Sequence, residues 1–374
     1  MQPDELQMLL EGARRFVARH SGPDDATTSA AGDAALWAGI TELGWPMLPF
    51  AESDGGMGAD LAAVAALLEV LGEGPLRAPY LEQVVLAGGL VAAAPPSTLR
   101  SELVAGVMNG HLRLAAALYE PRHRHDLMRC RTAARPCDRG YLITGDKALV
   151  LGGTSADRLV VLARTVLPGD RGQGQHGLFV VDTRGPGVTT RPVALRDGTW
   201  ASDVTLQEVL VEPDAVLCAP GAADATLARA LNVTLTGASA AAVGSMSRLV
   251  TMSVAYTAGR KQFGRPIAAF QVIQHQLVDM QRALEASRGL VAQAVAAGVS
   301  GDATRFSATA RAAKAAIGEH ALYIGKAAIQ VHGAMGISED LPVGRYVRRL
   351  VAFNLLLGDP HFHRTGQWPG VVTA

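Results

Sequence analysis

The spacing of apolar residues changes twice along this chain, and that double change restricts the folds open to it. From Asp4 to about Leu112, apolar side chains recur at helical intervals, as in Leu9, Ala13, Phe16 and Val17, and again in Leu61, Ala65, Leu68 and Leu71. From about Arg113 to Leu217 short apolar runs replace that period: Leu114 to Tyr119, Tyr141 to Thr144, Leu159 to Ala163, Gly177 to Val181 and Asp203 to Leu206. Turn residues bound each run, with Asp138-Arg139-Gly140, Pro168-Gly169-Asp170 and Arg184-Gly185-Pro186-Gly187 at the reversals. After Pro220-Gly221 the helical period returns. Phe270, Ile273, Leu277, Met280 and Leu284 step by three or four, and an Ala-rich helix is predicted from about Ala308 to Val331, ending at Gly333. The expected plan is α+β: an N-terminal helical domain over 1–112, a middle antiparallel β-barrel or sandwich over 113–219, and a C-terminal four-helix bundle over 220–374.

Charge and composition narrow the partners. Lys and Arg number 34 against 34 Asp and Glu, so the chain has no basic footprint for nucleic acid or an anionic membrane. No apolar run approaches the ~20 residues needed to span a bilayer, and Met1-Gln2-Pro3-Asp4-Glu5 is no signal-peptide n-region. Cys130, Cys137 and Cys218 form neither a disulfide framework nor a zinc motif, so the expectation is a cytoplasmic protein without a metal. Aromatic residues make up only 5% while Ala and Gly abound, which favours helices packed through thin seams.

Several motif-like stretches lack the context their chemistry needs. Gly140 to Lys147 has P-loop glycine spacing, but Asp146 precedes the lysine, Ala148 follows it, and the stretch reads as a hairpin. Gly237-Ala238-Ser239-Ala240-Ala241 has no closing glycine for a nucleophile elbow and lies in a helical run. Neither HExxH nor a strand-linked GxGxxG is present.

The informative stretch is Tyr256-Thr257-Ala258-Gly259-Arg260-Lys261-Gln262-Phe263-Gly264-Arg265-Pro266-Ile267, followed by Phe270-Gln271. It joins two predicted helices through a basic, Gly/Pro-punctuated turn. Arg260 and Gln262 there suit either an anion grip or a solvated turn. With Gln330-Val331-His332-Gly333-Ala334-Met335-Gly336-Ile337, and with Arg345 and Arg348-Arg349 beyond, this stretch resembles the signatures of the acyl-CoA dehydrogenase family. Gly44-Trp45, Gly55-Gly56-Met57-Gly58, Tyr141 to Lys147 and Ala156 to Thr165 extend the resemblance over nearly the whole chain.

The resemblance implies FAD as cofactor, an acyl-CoA as substrate, electron-transfer flavoprotein as acceptor, and a tetramer, either homomeric or built with a sister subunit. It also implies that Arg260, Gln262, Phe263, Gln271, Gln330 and Gly333 serve FAD, with Arg260 and Phe263 reaching a neighbour's. The family's α-proton base is a glutamate, and the two positions that hold it match Leu357 and Thr234 here, neither of which can act as a base. Asp359 is the nearest substitute, although an aspartate beside Pro360 more often serves as a turn or cap residue, with His361 and His363 as further polar candidates. The β-domain loop departs too: Tyr119 replaces the usual threonine, Arg122-His123-Arg124-His125 replaces a Gly-x-Gly-Ser, and Leu149 and Leu151 replace a tryptophan and a hydroxyl residue. The pattern resembles the paired dehydrogenase subunits of bacterial steroid side-chain degradation, which implies a subunit that lacks its own base and works in a heteromer. A self-sufficient enzyme using Asp359 and a flavin-free structural member are the other readings.

Overall fold

A computed structural model describes residues 1–21, 30–76, 78–123, 125–165, 174–338, 341–366 and 368–369. The predicted turn at Pro168-Gly169-Asp170 and the side chain of Arg124 lie outside the described residues. The helices are α1 (Pro3–His20), α2 (Ala30–Glu42), α3 (Leu61–Glu73), a π-helix (Tyr80–Gly88), α4 (Gly89–Ala93), α5 (Thr98–Met108), α6 (Ala223–Gly259), α7 (Gln271–Val299), α8 (Ala303–His332), α9 (Val343–Leu355) and α10 (Pro360–Thr365). The strands are β1 (Leu114–Ala117), β2 (Ala133–Cys137), β3 (Gly140–Leu151), β4 (Arg158–Thr165), β5 (His176–Asp182), β6 (Val188–Ala194), β7 (Trp200–Val211), β8 (Val216–Cys218), and the short pair β9 (Lys261–Gln262) and β10 (Arg265–Pro266).

Two compact units result. One holds α1, α3, most of α6 and α7 to α10. Two of its helices begin where the sequence offers caps: Asp60 Oδ1 accepts the Ala63 amide at 2.9 Å to start α3, and Asp302 Oδ1 accepts that of Arg305 at 2.9 Å to start α8. Gly333, at φ +59°, ends α8 where a side chain would strain the backbone.

Within this unit α3 and α6 approach backbone to backbone. A Cβ added to Gly72 would stand 2.0 Å from the Ala241 carbonyl oxygen, and one added to Gly244 would stand 1.9 Å from that of Glu69. Ser245 Oγ donates to the Gly72 carbonyl at 2.8 Å, so the crossing satisfies part of the C-terminal end of α3. Tyr346 Oη and Arg349 Nη1, both from α9, donate to the neighbouring carbonyls of Glu73 and Gly74 at 2.6 and 2.8 Å.

The second unit holds α2, the π-helix, α4, α5, the first turns of α6 and an eight-stranded sheet. The strands run in the order β6-β7-β3-β2-β4-β5-β8, and β1 lies beside β4. The expected antiparallel barrel or sandwich is corrected in two respects. β1 and β2 both pair with β4 in parallel, and among the described residues β6 and β8 do not pair, so the sheet is mixed and open rather than closed. The connection from β1 to β4 passes through the β2–β3 hairpin, long enough to bring the chain back in the same direction. Ile143, Val161, Phe179, Val204, Leu206 and Val211 pack one core on the sheet's inner face. β2 and β6 carry no continuous apolar run, which is why the sequence pattern passes over them: β6 is exposed along most of its length.

The α3–α6 seam yields a stability prediction. Gly72→Ala and Gly244→Ala each force backbone apart and are expected to cost at least about 1–3 kcal/mol in urea unfolding. Gly12→Ala, in α1 with nothing within 4 Å of the added carbon, is expected to be neutral or stabilising by up to about 1 kcal/mol.

Candidate functional site

The residues singled out around Arg260 and Gln330 converge on one open groove within the first unit. α6 stops at Gly259, and the Arg260 amide still bonds back to the Tyr256 carbonyl at 2.8 Å. The chain then reverses through the β9–β10 hairpin, whose turn residues Phe263 and Gly264 both have positive φ, +52° and +77°. Asn-Gly is the usual pair for such a turn, and a bulky residue in the left-handed region is disfavoured. Phe263 occupies it nonetheless, with 91% of its surface exposed. Phe270 supports the hairpin: Phe263 meets its ring edge-on at 6.1 Å, and the Arg265 guanidinium lies 4.2 Å above it.

Across from the hairpin, the end of α8 and the 3₁₀ turn Gly333–Gly336 close the groove. Its volume is about 530 Å³, and Tyr256, Arg260, Gln262, Phe263, Gln330 and Gly333 are among its lining residues. Nothing lies within 4 Å of a Cβ built on Gly333, so the backbone there is open to close approach. α7 starts at Gln271 with no side-chain cap from Phe270, leaving the positive end of a 29-residue helix beside Arg260 and Gln262. Five of the six predicted cofactor residues thus line one groove. Gln271 stands at its edge, between the lining residues Phe270 and Val272. The sequence reading gave no role to Tyr256 and His332, whose rings face each other at 4.5 Å in the same groove. His332 Nδ1 donates to the Ala328 carbonyl at 2.7 Å, which fixes the ring's orientation. The signal that could have found it is its place immediately before Gly333.

The two positions matched to a family glutamate hold no acid. Leu357 is 1% exposed, at φ +54°, in the turn between α9 and α10. Thr234 is buried in α6, and its hydroxyl donates to the Ala230 carbonyl at 2.8 Å. Asp359 Oδ1 accepts the Phe362 amide at 2.7 Å and so caps α10, the role expected of aspartate before Pro360. His361 is exposed, whereas His363 is buried and its carbonyl accepts from Arg311 Nη2 at 2.8 Å.

In the sheet unit, the Glu-Pro and Gly-x-Lys segments are tied to each other. Lys147 Nζ lies 2.9 Å from Glu120 Oε1, both fully or nearly buried. The same carboxylate accepts the Arg131 and Thr132 amides at 2.8 Å each and the Thr132 hydroxyl at 2.6 Å, while Cys130 Sγ donates to it at 3.2 Å. Burial alone would raise the Glu120 carboxyl, but the Lys147 charge and the Thr132 bonds outweigh it and hold the group down at about 2. Burial pushes the Cys130 thiol up to about 11, which leaves it inert. Lys147 is therefore engaged inward and is not available to a phosphate. Nearby, Leu149 stands at φ +52° and is 48% exposed, with its amide on Asp203 Oδ1 at 3.1 Å. His125 meets Tyr119 edge-on at 5.9 Å, and Arg122 takes φ +75°.

Among the described residues, no cluster of three or more His, Cys, Asp or Glu could hold a metal ion, and no helix is long and apolar enough to cross a membrane.

Comparison with known proteins accounts for this arrangement. Three family models match in succession: acyl-CoA dehydrogenase N-terminal domain over residues 3–110, middle domain over 115–209 and C-terminal domain over 225–365. The chain belongs to the acyl-CoA dehydrogenase family. It is 27% identical over 358 residues to 3-(aryl)acrylate reductase of Clostridium sporogenes, covering 92% of each chain. It superposes on a variant of the "Tcur3481-Tcur3483 steroid ACAD" at a TM-score of 0.85 with 29% identity, covering 96% of both chains. The FAD complex of PigA shares the fold at a TM-score of 0.87 and 23% identity, covering 97% of this chain and 96% of that one.

The Glu120 hub carries a prediction. Its low pKa stabilises the fold at neutral pH, and that contribution is lost as pH falls from about 4.5 to about 2. Lys147→Met leaves a buried carboxylate without its cation and is expected to cost about 3–5 kcal/mol, measured by urea unfolding at neutral pH. Near pH 3 the variant's deficit is expected to shrink, since Glu120 without its partner is then neutral.

Proposed function

We propose that this chain is a non-catalytic acyl-CoA dehydrogenase subunit, which lends its groove to FAD within a heteromer and leaves proton abstraction to a sister subunit. The observation that carries the reading is an asymmetry. The groove residues Arg260, Gln262, Phe263, Gln330 and Gly333 stand open together, whereas both glutamate positions hold Leu357 and Thr234, and Asp359 is spent on a helix cap.

The chemistry of the groove fits a dinucleotide. A guanidinium beside an uncapped helix start suits a pyrophosphate, and exposed Phe263 with the Tyr256–His332 pair suits a base or ribose edge. Open backbone at Gly333 admits close approach. The sheet unit fits FAD less well, because Lys147 is engaged by Glu120 and Leu149 offers neither a stacking ring nor a polar contact. When bound, FAD supplies the hydride acceptor for oxidation of an acyl-CoA. This chain's residues hold and orient it. Exposed apolar side chains in the helical unit, among them Phe263, Ile337, Val272 and Val278, at 91, 75, 70 and 65% exposure, are what a companion subunit would cover. The 29% identity to the steroid ACAD supports a steroid side-chain acyl-CoA as the substrate class. Electron-transfer flavoprotein is the proposed acceptor.

Two measurements test this. The chain expressed alone is expected to be colourless, to gain FAD when co-expressed with a dehydrogenase encoded beside it, and to lose FAD about 10- to 100-fold more readily in the complex when Arg260→Ala is introduced. If the chain alone is yellow and bleaches with an acyl-CoA, the reading is wrong. A homo-oligomer that never binds FAD would instead identify a structural family member. In the complex, Asp359→Asn preserves the cap, because Asn caps as well as Asp, and turnover is expected to stay within about twofold. A fall of about 10² to 10⁴ would make Asp359 the base.

A further inference from the structure

One buried ionisable group has no part in that function. Lys314, midway along α8, is 0% exposed. Its Nζ donates to the Gly358 carbonyl at 2.8 Å, reaches the Asn354 carbonyl at 3.4 Å, and lies 4.4 Å from the Phe353 ring. All three partners are uncharged. Among the described residues no carboxylate forms an ion pair with it; Asp359, in the turn, acts on it only through space. The other titratable or charged groups facing the turn are Arg311, one turn earlier on α8, and His363 on α10, whose Nε2 would lie 2.8 Å from a Cβ added to Gly358. From α9, the Phe353 ring and the Asn354 carbonyl meet Lys314, and neither titrates. Burial lowers the Lys314 ammonium to about 7, against the opposing charge of Asp359.

The turn that Lys314 contacts is held in a strained conformation. Leu357 and Gly358 stand at φ +54° and +116°, a conformation that costs a leucine on the order of 1–3 kcal/mol unless contacts hold it. The Lys314–Gly358 bond is such a contact. A neutral amine can stay buried while donating it, whereas a buried ammonium with no anion favours any opening that admits water.

We propose that Lys314 is a positioning residue that acts as a proton-sensitive latch on the α9–α10 turn: uncharged, it pins the Gly358 carbonyl and holds Leu357 in its left-handed conformation; protonated, it releases the turn to water. The latch stands independently of the heteromer reading. Only its bearing on acyl binding, through residue 357, rests on that reading.

Hydrogen exchange on the full chain, or on the complex where the chain requires one, tests the latch with intrinsic rates divided out. The Phe362 and His363 amides, which bond Asp359 Oδ1 and its carbonyl, report the turn. Their protection is expected to fall about tenfold between about pH 8 and about pH 6 in the wild type, while central α7 amides do not change. Lys314→Gln, which donates without titrating, is expected to keep the turn protected and flat with pH. Lys314→Met is expected to leave it exposed at both. Global stability offers a second readout. The unfolded chain binds a proton that folded Lys314 does not, so stability is expected to rise with pH from about 7 to about 10.5, a slope that Lys314→Gln removes. A wild-type turn with no pH step, a step that survives Lys314→Gln, or a step abolished by His363→Gln alone would each overturn the proposal.

Discussion

The backbone contact between α3 and α6 is the constraint on which the helical unit depends. Two glycines, Gly72 and Gly244, let the helices meet carbonyl against Cα, and no side chain larger than hydrogen fits either place. Because the helices lie so close, Ser245 reaches the Gly72 carbonyl, and Tyr346 and Arg349 of α9 satisfy the next two carbonyls at the end of α3. α9 is anchored through the same carbonyls. That seam is therefore one of the supports of the turn that follows α9.

Two buried lysines show how one residue type is used in opposite ways. Lys147 is matched by Glu120 and a set of amides, so its charge is compensated and the carboxylate is fixed well below its ordinary range. Lys314 meets only carbonyls and a ring, so its charge is the variable quantity. The first arrangement makes a rigid hub joining β1, β2 and β3 ends. The second leaves the α9–α10 turn sensitive to a single proton.

Much of this was legible in the residues. The two changes of hydrophobic period mark the passage from helices to sheet and back, because burial on a helix face and on a strand face demand different spacing. The cap at Asp60 and the stop at Gly333 are local chemistry and needed no tertiary information. β2 and β6 were not legible: Ala133–Cys137 and Val188–Ala194 are mostly exposed, so they carry no apolar run, and their strand form comes from pairing with the adjoining strands β3 and β7. The parallel pairing of β1 with β4 was hidden because the whole β2–β3 hairpin separates the two strands in sequence. In the groove, arginine and glutamine at motif spacing could be found by pattern, but Tyr256 and His332 lie 76 residues apart and meet only once α6 and α8 are packed. Lys314 lies in an Ala-rich helical run that offers no hint of a carbonyl waiting 44 positions later.

The Phe263-Gly264 turn has a consequence for how such a chain evolves. Asparagine or glycine at position 263 would relax the backbone and remove an exposed aromatic ring, so the isolated subunit could be made more stable by a single change. Selection on the monomer alone would remove that phenylalanine. A screen for thermostability alone would drift toward variants that have lost the groove's most exposed wall.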